Sequence, residues 1–236
     1  VNSSAEGVLN LIGRYDREAL RAVRVGLLLP WANVAVEEEL PRCGLVNTVF
    51  HHARLVPSSG ATAVGASFWH GLRGAAAEAV ESMVHLPLNA TVLACTSAGF
   101  TDGPPLPAGT VTAFDAVVEG LRAMKARQVV LATPYPDPVT CAEAEALRDA
   151  GFTVLAHAGL GLADGYPDVP PGKIRRLLRE LPTGPLDAAD AVVLSCTGWR
   201  TLTCVEPLER DLGKPVLSSN LAIALHAAQL SAGVIP

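Results

Sequence analysis

Residues 25–33 (VGLLLPWAN) and 92–100 (VLACTSAGF) are echoed by residues 129–137 (VVLATPYPD) and 192–200 (VVLSCTGWR). Each half of the chain holds an apolar run that breaks at a proline loop, then an apolar run that ends in Cys-Thr. Cys95 follows Pro30 by 65 residues, and Cys196 follows Pro134 by 62. The match in residue type, order and spacing predicts an internal repeat. It would place two similar halves face to face across a cleft, each presenting a cysteine at the carboxyl end of a strand. Ligands bind at that end in open α/β sheets.

The rest of the chain agrees. Strands are predicted at 24–29, 46–55, 90–95, 128–133, 152–157, 190–196 and 216–218. Helical stretches fall at 67–86, 114–125, 138–150, 172–181 and 202–212, with one more at the C-terminus. Strands alternating with helices predict parallel sheet. Unbroken apolar strands suit a sheet covered on both faces. The fold class is therefore α/β, with two pseudo-twofold-related parallel-sheet domains and a site between them. Residues 1–23 read as an N-terminal extension. Residues 24–118 read as the first half, completed by 216–236, and 119–215 as the second.

Composition narrows the function. The 236 residues are 50% hydrophobic and 17% charged, with a net charge of −5. That composition supports a core and excludes disorder. With no basic cluster, nucleic acid and anionic membrane surfaces are not expected partners. The longest charge-free run, 215–236, carries Ser218, Ser219, Asn220, His226, Gln229 and Ser231, and reads as a buried strand and helix rather than a membrane span. Glu6, Arg14, Asp16, Arg17 and Glu18 interrupt any signal-peptide core in the first 23 residues. The cysteines at 43, 95, 141, 196 and 204 show no C-x-x-C spacing, so neither a zinc site nor a disulfide framework is expected. Free thiols fit the cytoplasm. The absence of a nucleotide loop and of paired metal ligands predicts chemistry without a cofactor.

Small-residue turns after Cys95 (Thr96-Ser97-Ala98-Gly99) and Cys196 (Thr197-Gly198) offer backbone N–H groups and hydroxyls to the cleft. Such donors hold a carboxylate and are expected to lower a neighbouring thiol's pKa. A thiolate is both nucleophile and base. Cys43, Cys141 and Cys204 are expected to be small buried hydrophobes.

The segments LLLPWANVAVEEELP, ACTSAGF, ATPY, LSCTGWRTL and KPVLSSNLA together resemble the aspartate/glutamate racemase superfamily. Within it the chain looks most like maleate cis-trans isomerases and arylmalonate decarboxylase. The resemblance runs from Arg24 onward. It implies Cys95 as nucleophile and Cys196 as proton donor. It also implies Asn33 as a carboxylate ligand, Thr96 and Ser97 in one carboxylate pocket, Thr197 and Gly198 in the other, and Tyr135 as a hydrogen-bond partner of the substrate. The decarboxylase keeps only the second cysteine, so two cysteines argue against decarboxylation. The implied partner is a small carboxylic acid, and a homo-oligomer is expected.

Two departures stand out. In maleate isomerases a second binding Asn falls where GLADGYPDVPP here has Gly165, which puts maleate in doubt as the physiological substrate. Trp31 replaces a smaller loop residue, either to shape the pocket or to pack. Arg200 is expected in a structural salt bridge, and Glu37, Glu38 and Glu39 on a solvated helix face. One of His51 and His52 should face in and the other out. Asn220 is expected to cap the last helix. Three functions remain open at this level: an isomerase, a racemase or epimerase acting next to a carboxylate or carbonyl, and a non-catalytic binding protein. The intact cysteine pair weighs against the third.

Overall fold

The computed structural model describes residues 22–58 and 60–234. The expected N-terminal extension, 1–23, lies outside them except for its last two residues. Two four-stranded parallel sheets form the frame. The first holds β1 (Val23–Pro30), β2 (Thr48–Leu55), β3 (Ala90–Leu93) and β4 (Thr110–Thr112) in the order β2-β1-β3-β4. The second holds β5 (Gln128–Thr133), β6 (Thr153–Gly159), β7 (Ala191–Leu194) and β8 (Val216–Ser218) in the order β6-β5-β7-β8. The two orders are the same order, so the internal repeat is a structural one.

In each sheet the chain runs outward from the first strand and returns to its other side. The strand order reverses there, between β1 and β3 and between β5 and β7, opening a crevice at the carboxyl ends. The central strands are covered on both faces. Val25, Leu27 and Leu29 pack into one core and Leu28 into another, and Val129 and Leu131 divide from Val130 and Ala132 in the same way.

The helices connecting the strands are α1 (Ala35–Glu39), α2 (Ala66–Gly74), α3 (Ala76–Glu81), α4 (Ser97–Phe100), α5 (Ala113–Ala123), α6 (Asp137–Asp149), α7 (Pro171–Glu180), α8 (Thr183–Ala188), α9 (Leu202–Leu212) and α10 (Ser219–Ser231). The stretch expected as one helix over 67–86 is two, broken after Gly74, where glycine's low helix propensity is felt. The short β4 has no counterpart among the predicted strands. The segment 216–236 was expected to complete the first half, but it divides. β8 pairs with β7 in the second sheet. The helix α10 then crosses over, setting Ile223, Ala224 and Ala227 into the core around β1. The first residues of α10 therefore lie where the two halves meet.

One glycine aligns the frame with the site. Gly159 ends β6, where a Cβ atom would stand 2.4 Å from the Tyr135 carbonyl oxygen and 2.6 Å from Thr140 Oγ1. Only a residue without a side chain lets the Tyr135 loop lie this close to the sheet.

Candidate active site

A cavity of about 470 Å³ opens between the carboxyl ends of the two sheets. Cys95, Ser97 and Asn33 line it from the first half, and Cys196, Thr197, Gly198 and Tyr135 from the second. Seven of the eight residues expected at the site thus meet in one cavity. Thr96 does not line it. Its buried hydroxyl points behind the wall and donates to Ser219 Oγ at 2.9 Å.

That same Ser219 oxygen accepts the Cys196 N–H at 3.1 Å. Ser219, at the start of α10, therefore fixes both cysteine turns with one atom. Thr197 adds a second cross-link: its hydroxyl donates to the Ala94 carbonyl at 2.8 Å and accepts from Asn33 Nδ2 at 3.2 Å. Asn33 Oδ1 accepts the Val36 N–H at the start of α1. The third cross-link is Glu39, which is buried rather than solvated. Its carboxylate accepts the Leu202 N–H at 2.7 Å, at the positive end of α9, and the Asn220 amide at 2.8 Å. Burial still raises its pKa against these donors.

Asn220 consequently does not cap α10. Ser218 does, accepting the Leu221 N–H, while Asn220 turns inward to Glu39 and the Thr197 carbonyl. Arg200 forms the expected salt bridge, to Glu38, and also donates to the Pro167 carbonyl, tying down the loop around Gly165.

The thiols differ from the expectation in one respect. Donors do surround them. Cys95 is stabilised as a thiolate by the Ala98 and Ser97 N–H groups and the Ser97 hydroxyl, 3.7 Å away. Cys196 has the Tyr135 hydroxyl and the Gly198 N–H. Desolvation outweighs them in both, because an anion loses more on leaving water than these few donors return. The Cys95 pKa is raised, and that of Cys196 is pushed up to about 12, with the negative charges of Cys95 and Glu143 adding to the burial. Cys95 thus has three thiolate donors and Cys196 two, with two like charges against it. Burial likewise lifts the Tyr135 pKa well above its usual value.

The far wall of the cavity was not legible in the sequence. Thr62, Val64 and Phe68 reach it from the segment before and within α2, and Tyr166 packs edge-on against Tyr135 at 5.5 Å. Trp69 holds Ser97 through its indole N–H at 3.0 Å. Gly165 lines the cavity at φ +70°, with nothing within 4 Å of where a Cβ would stand. Trp31 is exposed and does not line this cavity. Of the remaining cysteines only Cys204 is fully buried. Cys43 is half-buried, and Cys141 is exposed, 3.5 Å from His157 Nε2. His52 is exposed and His51 half-buried, in keeping with one turned in and one out. Among the described residues no group of three His, Cys, Asp or Glu side chains could hold a metal, and no helix is long and apolar enough to cross a membrane.

Comparison with known proteins places these features in context. The family profile of arylmalonate decarboxylase matches residues 43–233. A maleate isomerase of Nocardia farcinica is 31% identical over 227 residues, spanning 84% of this chain and 86% of its own. The arylmalonate decarboxylase of Bordetella bronchiseptica is 31% identical over 197 residues, spanning 80% and 73%. The structure of a cysteine-to-serine mutant of the Nocardia farcinica maleate cis-trans isomerase, with a covalently bound succinylcysteine intermediate, superposes with a TM-score of 0.78. The two are 26% identical, over 90% of this chain and 93% of that one.

Ser219→Ala removes the shared acceptor and leaves the Cys196 N–H and the Thr96 hydroxyl buried without it. Urea unfolding should show a loss of about 1–3 kcal/mol with an unchanged m-value. A loss below about 0.5 kcal/mol, the usual size of an unimportant surface change, would show that the seam does not depend on this atom.

Proposed function

The chain belongs to the arylmalonate decarboxylase family, and on that premise we propose that it is a cofactor-independent cis-trans isomerase of a small unsaturated carboxylic acid, maleate isomerase-like in mechanism. One observation carries this reading: Cys95 and Cys196 come from the two halves and line the same cavity.

Cys95 is the nucleophile, since it has the greater number of thiolate donors. After losing its proton to solvent, Cys95 reacts as the thiolate, and its sulfur adds to one carbon of the cis double bond. The π electron pair moves to the neighbouring carbon, where the attached carboxylate delocalises it. Cys196 delivers its proton to that carbon, and a saturated thioether results. Its central C–C bond is now single and rotates. Cys196, as thiolate, takes the proton back, and the pair of electrons re-forms the double bond as the Cys95–carbon bond breaks. The trans acid leaves, with Cys95 again a thiolate and Cys196 again a thiol, ready for the next turnover. The covalent succinylcysteine of the related enzyme is this kind of thioether.

Asn33, Ser97 and the Gly198 N–H supply the polar end of the cavity and bind carboxylate oxygens without a full countercharge, while the Thr197 hydroxyl, its proton given to the Ala94 carbonyl, holds the Asn33 amide in place. Tyr135 directs its hydroxyl to Cys196 and steadies the thiolate formed there. Both thiols must stay reduced, so the cytoplasm is the compartment we assign.

The substrate is set by the other end. With Gly165 in place of an amide and open space where its side chain would stand, and with Val64, Phe68 and Tyr166 also lining the cavity, an acid with a bulkier or less symmetric end is favoured over maleate itself.

Cys95→Ala and Cys196→Ala should each lower kcat by several orders of magnitude with circular dichroism unchanged, because each removes a reacting group. Either variant keeping more than about a tenth of the wild-type rate would sink the two-thiol mechanism. Gly165→Asn returns an amide at a left-handed position that asparagine tolerates better than most residues. Maleate should then bind more tightly by about 1–3 kcal/mol, while larger acids lose rate. Wild-type turnover of maleate as fast as that of larger acids would contradict the assignment of this end of the cavity.

A further inference from the structure

Glu143 is fully buried on α6, lines no part of the cavity, and has no ion-pair partner among the described residues. One carboxyl oxygen is hydrogen-bonded to the Ser195 hydroxyl, and Oε2 has no partner there. Ser195 immediately precedes Cys196, and its own N–H is fixed on the Ala132 carbonyl at 2.9 Å. Successive residues thus hold a buried carboxyl on one side and the Cys196 thiol, in the cavity, on the other. Charge on Glu143 acts on both Cys196 and Tyr135, disfavouring the anion of each. Burial in turn raises the Glu143 pKa to about 8, opposed only by the Ser195 hydroxyl.

We propose that Glu143 is a positioning residue for Cys196: as a neutral acid held by Ser195 it lets the thiol release its proton, and as a carboxylate it opposes that release. The proposal rests on Cys196 being the proton carrier. When Cys196 protonates a carbon it becomes an anion in a site shielded from water. A second anion close by makes that costly, because charges in low dielectric are weakly screened. Below pH 8 Glu143 is mainly protonated and the cost is absent. As pH rises through 8 it ionises, the Cys196 pKa climbs, and the thiol becomes a poorer acid.

No neighbour cancels this. Of the elements packed on α6, β5 and α4 carry no charged side chain. On β6 the titratable group is His157, which contacts Cys141. On α6 itself Arg148 pairs with Glu145, and the groups that feel the charge of Glu143 are Tyr135 and Cys196, each neutral when protonated.

The test follows alkylation of each cysteine by iodoacetamide, resolved by peptide mass spectrometry, in the wild type and in Glu143→Gln from pH 6 to 10. The reaction consumes thiolate, so its rate reports the thiolate fraction. At pH 9, Cys196 of Glu143→Gln should react about 3–10-fold faster than in the wild type, a shift of up to about one pKa unit. At pH 6 the two rates should agree. Equal Cys196 rates at every pH, or the same ratio at every pH, would overturn the proposal. If Glu143→Gln does not fold, wild-type protein carrying 13C-labelled glutamate must still show a carboxyl titrating near pH 8; finding none overturns it equally. No substrate enters either measurement, so failure here leaves the isomerase reading standing, and failure of that reading leaves this coupling measurable.

Discussion

The two thiols that line the cavity, and that the proposed mechanism sets on one small molecule, are carried by two sheets that share no strand. Nothing within either sheet sets the distance between them. That distance is held by a buried polar seam: Ser219 on both cysteine turns, Thr197 between Asn33 and the Ala94 carbonyl, and Glu39 between the start of α9 and Asn220. Each is a group that would be expensive to bury unpaired. Sliding one half against the other would break several of these bonds at once in a place water cannot repair. The seam is therefore directional where an apolar interface would not be, and it holds the cavity walls to one geometry.

The same burial decides the electrostatics. Donors converge on both thiols, yet both are harder to ionise than a free cysteine. The cavity favours neutral, protonated thiols, which suits Cys196 as the proposed acid and leaves Cys95 dependent on its donors for the thiolate that attacks. The asymmetry comes from the neighbours. Three donors face Cys95, whereas Cys196 has two donors and, once Glu143 ionises, its charge against it. One fold repeated twice thus sets two cysteines in different surroundings, and the difference lies in residues the repeat does not share.

The frame was legible because its signal is local. Apolar runs such as residues 192–194 and a repeat with matched spacing survive in any reading of the chain, and they located Cys95, Cys196 and the turns that follow them, whereas Asn33 and Tyr135 came from the family resemblance. What escaped is non-local or very short. The three residues of β4 and four of α4 are too few to show periodicity. Glu39 looks like a solvated acid beside Glu37 and Glu38, and only a partner 181 residues away reveals it as buried. Ser219 and Asn220 read as helix-start residues for the same reason. The direction of the thiol pKa shifts was misjudged because donors are visible in sequence and the depth of burial is not.

The most direct measurement is the mass of the Cys196→Ser protein after incubation with maleate and larger cis-unsaturated acids. Water or the serine hydroxyl can still protonate the carbanion, but serine is too weak a base to take that proton back, so the thioether should accumulate. The account predicts an increase equal to one substrate molecule, mapped by peptide analysis to Cys95 and lost in the Cys95→Ala/Cys196→Ser double mutant. No adduct with any acid that the wild type converts, or an adduct on the exposed Cys141 in place of Cys95, would contradict it.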